Sequence, residues 1–179
     1  MMDKRVLSIP KQLIRRFQTN DPFIIAEGLG IQILMNHEFK SQKGAFAVIR
    51  NVCFIFINSN LSDYMQRLVC AHELGHALLH RKLGTAPGGL IEFEIFDMNN
   101  STEYDANVFA ANLLINDREL LEMIREGYDV VQIARELNLN VNIVLVKVTE
   151  MNKQGYNFRV PYEPSRKFMG SIADEVGEL

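Results

Sequence analysis

The stretch LVCAHELGHALLH, residues 68–80, constrains the fold of this chain more than any other. It places three histidines and one glutamate among apolar residues, and the spacing around it is helical. One face of the predicted helix contains Met65, Leu68, Val69, His72, His76 and Leu79. Because a polar side chain on a buried face costs free energy unless it finds a partner, the fold must supply a partner to the two histidines of this face.

A metal ion is the partner that this pattern predicts. His72 and His76 are four residues apart, so their side chains stand one above the other with Cβ atoms about 5–6 Å apart. Two imidazoles in that arrangement can bind one zinc ion, and Glu73, about 100° further round the helix, can reach a water molecule on that ion. A lone histidine on an apolar face is more often a hydrogen-bonded core residue, but His-Glu-x-x-His in a chain with four histidines favours a catalytic zinc site. The glutamate would take a proton from the water and deliver it to the leaving amine.

A catalytic zinc needs a third protein ligand and an open fourth position. A straight helix separates His80 from His72 by about 12 Å along its axis, so His80 cannot be that ligand and is expected either to pack beside the site or to support a ligand. The remaining candidates are the downstream carboxylates Glu92, Glu94, Asp97, Glu103 and Asp105. In STEYDANVFAANLL, Glu103 lies at the edge of the apolar face and Asp105 points further away. Spacing alone therefore places Glu103 first and Asp105 second, although the helix dipole also explains a carboxylate in a first turn.

Strands precede helices along the chain, which predicts an α+β fold. We expect a small mixed or antiparallel sheet, a zincin-like HExxH helix and a helical C-terminal half. The predicted elements before residue 100 are a helix PKQLIRRF opened by Pro10, a helix DPFIIAEGLG capped by Asp21, a strand IQILMN, a hairpin of GAFAVIR and VCFIFIN turning at Arg50 and Asn51, and an edge strand IEFEIF after the HExxH helix. The predicted helices after it are STEYDANVFAANLLI, capped by Ser101 or Thr102, then DRELLEMIREG, DVVQIARELNL and NVNIVLVKVTEM.

These elements predict a metallopeptidase domain over residues 1–152, including a helix-turn-helix-like pair at 129–152, and an irregular C-terminal tail over 153–179. The composition, with 47% hydrophobic and 23% charged residues, is that of a globular protein. No apolar run approaches the roughly 18 residues of a membrane span. Two cysteines, Cys53 and Cys70, are too few for a disulfide framework and are expected to be buried, so a cytoplasmic protein is predicted.

The pairing of HELGHALLH with a downstream EYDANVFAANLL resembles the ImmA/IrrE metallopeptidases, and the likeness extends over roughly residues 20–150. The resemblance implies that His72, His76 and Glu103 bind one zinc ion per chain and that Glu73 is the catalytic base. It implies that Asn107, one turn after Glu103, orients a ligand. It also implies an endopeptidase whose protein substrate is a transcriptional repressor of the helix-turn-helix type.

Two other classes of function are open to this sequence. The stretch VVQIARELNLNVNIVLVKV has the shape of a helix-turn-helix, which would make the chain a DNA-binding regulator. Its second helix has one lysine and no arginine over residues 141–147, and the chain's net charge is -3, so we expect no direct contact with nucleic acid. A regulator with a structural zinc site is the other class, but such sites are closed by four ligands, mostly cysteines.

Overall fold

The computed structural model describes residues 5–85, 90–92 and 100–159, and of residues 90–92 only the backbone. The described residues form an α+β fold, as predicted, with a small mixed sheet and a helical C-terminal half. In chain order the elements are α1 (Arg5–Phe17), α2 (Pro22–Gly28), β1 (Gln32–Asn36), β2 (Gly44–Ile49), β3 (Val52–Asn58), α3 (Asp63–Leu79), β4 (Leu90–Glu92), α4 (Ser101–Leu114), α5 (Asp117–Arg125), α6 (Val130–Glu136) and α7 (Val141–Lys153).

The sheet has four strands in the order β1-β3-β2-β4. Strand β3 pairs parallel with β1 and antiparallel with β2, and β2 pairs antiparallel with β4. The predicted hairpin is confirmed: Arg50 and Asn51 join β2 to β3 with φ angles of 49° and 67°. The predicted edge strand is confirmed at its start, since β4 lies at the sheet edge, whereas residues 93–96 lie outside the described part of the chain.

Helix α2 begins as its sequence predicts. The side chain of Asp21 accepts a hydrogen bond from the backbone N–H of Phe23, and Pro22 occupies the first helical position. Helix α1 corrects a prediction, because it starts at Arg5 and contains Pro10 in its interior. A proline removes one backbone hydrogen bond from a helix, and here the buried packing of α1 outweighs that loss.

The start of α4 also differs from its prediction. The N-cap is Asn100, one residue earlier than the predicted Ser101 or Thr102. The Asn100 side chain accepts hydrogen bonds from both the backbone N–H and the hydroxyl of Thr102. Asparagine and serine are almost equally good caps, so neighbouring candidates cannot be separated by type alone. The earlier start leaves Glu103 in the first turn of α4.

Helix α3 is the central element, packed on the sheet on one side and on α4 on the other. The sheet meets α3 with the alternate residues Cys53, Ile55 and Ile57 of β3, which are buried. Cys70 of α3 is also buried, so both cysteines lie in the interior, as predicted. No helix in the described ranges is long and apolar enough to span a membrane.

The predicted helix-turn-helix-like pair forms as α6 and α7, but α7 lies in the interior. Its buried residues are Asn142, Ile143, Val144, Leu145, Val146, Lys147, Val148, Glu150 and Met151. The Lys147 ammonium donates to the Asn112 Oδ1 of α4 at 2.7 Å and pairs with Asp117 at the start of α5. This helix therefore lies in the interior of the described part of the chain and supports α4.

Helices α3 and α4 approach each other closely at Gly75. A Cβ built on Gly75 would lie 3.2 Å from the Cα of Ala106 and 3.2 Å from the Phe109 ring. Glycine therefore lets α3 lie close against the backbone of Ala106 and the side chain of Phe109. Since Glu103 lies one turn before Ala106, this contact fixes how far the Glu103 carboxylate stands from the histidines of α3.

We predict that Gly75→Ala destabilises the protein, although alanine normally favours a helix over glycine by about 1 kcal/mol. The added methyl group forces α3 and α4 apart, and such overpacking costs about 1–3 kcal/mol. Urea unfolding in the presence of a chelator measures this free energy without any contribution from metal. The matched variant Ala77→Gly, two residues along the same helix, reports the ordinary alanine-to-glycine effect. Wild-type or greater stability of Gly75→Ala would contradict the limiting role of this contact.

Candidate metal centre

Three side chains from α3 and α4 converge at one point in the interior. The Nε2 atoms of His72 and His76 are 3.0 Å apart. The Oε2 atom of Glu103 lies 3.2 Å from the first of these nitrogens and 3.3 Å from the second. All three residues are buried, and within the described residues they form the one group of three or more potential metal ligands. The structure thus brings together the three residues that the sequence predicts as ligands.

The ionisation of this cluster suits a cation. Burial lowers the pKa of His76, against the opposing effect of its contact with Glu103, so this imidazole is neutral at pH 7. Burial also raises the pKa of Glu103, but the hydrogen bonds and charges of His72 and His76 outweigh burial and hold that pKa well below its usual range. The neutral His76 imidazole and the Glu103 carboxylate therefore meet beside the His72 ring, and together they provide lone pairs and one negative charge.

The distances between these donor atoms fit zinc. In a tetrahedral site with bonds near 2.0–2.1 Å, neighbouring ligand atoms lie about 3.3 Å apart. The three separations of 3.0, 3.2 and 3.3 Å are close to that value. Two histidines and one carboxylate are also a donor set of catalytic zinc sites, in which the fourth position is left for water or substrate.

Asn107 fixes the ring of His72. Its Oδ1 lies 3.0 Å from the Nδ1 of His72, so Nδ1 carries the proton and donates it. The lone pair of His72 is then on Nε2, the nitrogen that faces Glu103. The sequence suggested an orienting role for Asn107 through the family resemblance alone, and this contact gives that role a physical basis.

The remaining predicted candidates lie elsewhere. Asp105 does not belong to the cluster of three potential ligands, and its Oδ2 lies 3.7 Å from the Nε2 of His80. Of Glu92 only the backbone is described, and Glu94 and Asp97 lie outside the described residues. His80 packs against His76, with 3.3 Å between their Nδ1 atoms. The four-residue spacing of the two histidines was the signal for this contact, and packing beside the site was one of the two roles expected for His80.

Glu73 lies on the same helix and is fully buried. Its carboxylate packs against the backbone of β2 at Gly44, where a built Cβ would lie 2.6 Å from the Glu73 Oε1 and 2.5 Å from the Val69 Cγ1. Only a glycine at this position leaves the carboxylate in its observed place. The sequence analysis missed Gly44, because nothing in the chain shows which glycine of a strand faces a glutamate of a helix.

A closed site with cysteine ligands is not supported by the positions of the two thiols. Neither Cys53 nor Cys70 belongs to the cluster of potential ligands. Burial, with smaller contributions from Asp21 and Glu73, raises the pKa of the Cys70 thiol well above its ordinary value. A thiol that stays protonated is a poor zinc ligand, since the thiolate is the form that binds metal.

The sequence profile of a peptidase family described as the IrrE N-terminal-like domain matches residues 26–149. A Bacillus phage phi105 protein named "Uncharacterized immunity region protein 2" is 33% identical over 110 residues, which make up 60% of this chain and 66% of that protein. The protein named "Metallopeptidase ImmA" of Bacillus subtilis (strain 168) is 31% identical over 103 residues, 54% of this chain and 56% of the relative. Each match thus spans less than two thirds of the relative's own length.

We predict that Glu103→Gln and Asp105→Asn, which remove one negative charge each, differ in their effect on metal binding. Loss of a direct ligand should lower zinc affinity by more than the roughly 10–100-fold that loss of a supporting residue costs. Titration of metal-free protein with zinc against a chromogenic chelator should give one equivalent for Asp105→Asn and a much weaker site for Glu103→Gln. The opposite ranking would make Asp105 the third ligand.

Proposed function

The chain belongs to the IrrE N-terminal-like peptidase family, and from this premise we propose that it is a zinc-dependent endopeptidase of the HExxH type. The observation that carries the proposal is the buried triangle of His72, His76 and Glu103, with Glu73 on the same helix as the two histidines. We propose these three residues as the ligands of one zinc ion per chain and Glu73 as the catalytic base.

The metal and the protein have separate tasks in this proposal. A zinc ion held by His72, His76 and Glu103 would supply a Lewis acid, which makes water a nucleophile at neutral pH. Glu73 accepts the proton of the attacking water and then donates it to the leaving nitrogen of the peptide. Asn107 holds His72 in the tautomer that leaves Nε2 free to bind. The buried surroundings strengthen each of these electrostatic interactions, because little water screens them.

We propose a transcriptional repressor of the helix-turn-helix type as the substrate, cleaved in the cytoplasm. The support comes from the resemblance of the HELGH and EYDANVFA helices to the ImmA/IrrE family. The names of the two relatives agree with it, one being called a metallopeptidase and the other an immunity region protein. The peptidase domain in this proposal includes α6 and α7, since α7 packs against α4 and the two helices α6 and α7 pack against each other.

A DNA-binding regulator is the weaker candidate. A recognition helix must offer polar and basic side chains to base edges and phosphates. Lys147, the one basic residue of 141–147, is buried and is held by Asn112 and Asp117. These contacts support a role for α6 and α7 in the peptidase fold itself.

We predict that Glu73→Gln folds and binds zinc but does not cleave its substrate. Glutamine keeps the size of the side chain and cannot accept the proton, and removal of a general base typically costs about 10²–10⁴-fold in rate. Co-expression of each form with a candidate repressor of the helix-turn-helix type, followed on a gel, measures the cleavage. Cleavage by Glu73→Gln at the wild-type rate would remove Glu73 from the mechanism. An intact repressor with both forms would contradict the proposed substrate.

We predict that Gly44→Ala lowers the rate without weakening the metal site. The new methyl group would occupy the place of the Glu73 carboxylate, whose flexible end turns aside, and a misplacement of about 1 Å can cost about 10²-fold in rate. The comparison variant Gly44→Ala with Val69→Ala relieves the second steric contact and leaves the first. If both variants keep zinc affinity and are equally slow, the carboxylate contact is responsible; wild-type turnover by Gly44→Ala would contradict the role of this glycine.

A further inference from the structure

We infer that His80, with Asp105 beside it, is a positioning residue that holds the ring of His76 in the orientation needed to bind metal. Neither residue would touch the ion itself. The inference rests on the proposed function, because it assumes that His76 is a metal ligand.

The argument starts from the protons of His76. A neutral imidazole has one proton, and the nitrogen that binds a metal must be the one without it. The Nε2 of His76 faces His72 and Glu103, so the proton belongs on Nδ1. His76 is fully buried, and a buried N–H needs an acceptor, since leaving it unsatisfied costs about 1–3 kcal/mol.

His80 provides that acceptor. Its Nδ1 lies 3.3 Å from the Nδ1 of His76, which is within hydrogen-bond range. The backbone holds it there, because His80 caps the C-terminus of α3 and its N–H donates to the carbonyl of His76 at 2.8 Å. A histidine one turn past a ligand is therefore too far to bind the ion directly but close enough to orient the ligand.

Asp105 sets the tautomer of His80. For the Nδ1 of His80 to accept a hydrogen bond from His76, the His80 ring must have its own proton on Nε2. That nitrogen lies 3.7 Å from the Oδ2 of Asp105, an electrostatic contact between two side chains that are 14% and 17% exposed. The carboxylate favours a proton on the nitrogen that faces it, which is Nε2 of His80. The Nδ1 of His80 is then left as the acceptor of the hydrogen bond from His76.

The two proposed histidine ligands thus receive equivalent support by different routes. Asn107 accepts directly from His72, and Asp105 acts on His76 through His80. Glu103, Asp105 and Asn107 are alternate residues of α4. One stretch of this helix thus contributes the proposed third ligand and the two side chains that orient the histidine rings.

The test compares zinc affinity among His80→Leu, His80→Asn and the wild type, using the full chain and zinc in competition with a chromogenic chelator. Leucine fills the space and accepts no hydrogen bond, so affinity should fall by about 10–100-fold. Asparagine places its Oδ1 near the position of Nδ1 and should restore most of the affinity. His37→Leu is the matched control for removing a histidine, because His37 contacts Ser59 and is exposed; its affinity should equal that of the wild type.

The outcomes separate this inference from the proposed function. A wild type that binds no zinc would overturn both. A wild type that binds one equivalent, with His80→Leu equally tight or His80→Asn as weak as His80→Leu, would overturn the positioning role alone. Thermal unfolding of the chelator-treated variants shows whether the fold is intact. If His80→Leu does not fold, Asp105→Leu replaces it, with a smaller loss of affinity expected and unchanged affinity counting against the inference.

Discussion

The approach of α4 to α3 determines whether this molecule can have a metal site at all. Two histidines on one helix provide two donors, and the third donor must come from another element. Gly75 lets the backbone of α4 lie against α3 at Ala106, and the Glu103 carboxylate then reaches both imidazoles one turn earlier along α4. The position of Glu103 is thus a consequence of helix packing, which at Gly75 leaves no room for a side chain between the two helices.

That close packing creates a second requirement, because it buries polar side chains that need hydrogen-bonding or ionic partners. His72, Glu73, His76, Glu103 and Asn107 are all buried in the region between α3, α4 and the sheet. Buried polar groups are stable only where they meet partners of the right polarity, and a partly matched network is worse than an apolar core. Asn107 and His80 lie within hydrogen-bond distance of the Nδ1 atoms of His72 and His76. The Nε2 atoms of the two rings and the Glu103 carboxylate then face one another. A cation between them is the partner that satisfies all three.

Helix starts and tight turns that are formed by residues adjacent in the chain could be predicted from the sequence. Asp21 before Pro22 marked the start of α2, and Arg50 with Asn51 marked the hairpin, because caps and tight turns are formed by adjacent residues. The four-residue spacing of His72 and His76 placed both rings on one helix face for the same reason. The choice between Glu103 and Asp105 was different, since it depends on the rotation of α4 about its axis after packing. Gly44 was beyond prediction, because its contact with Glu73 joins a strand and a helix far apart in sequence.

Helix α7 illustrates why a local pattern can suggest more than one function. The sequence of α6 and α7 has the apolar positions of a helix-turn-helix, and the pair does form. Yet a helix that is buried on nearly every side belongs to a core, whatever motif its spacing resembles. Lys147, which would be the phosphate contact of a DNA-binding helix, instead reaches inward to Asn112 on the far half of α4. The same helix that places Glu103 in the metal cluster at one end is thus anchored by α7 at the other, and the helix-turn-helix-like pair contributes to the site by fixing α4.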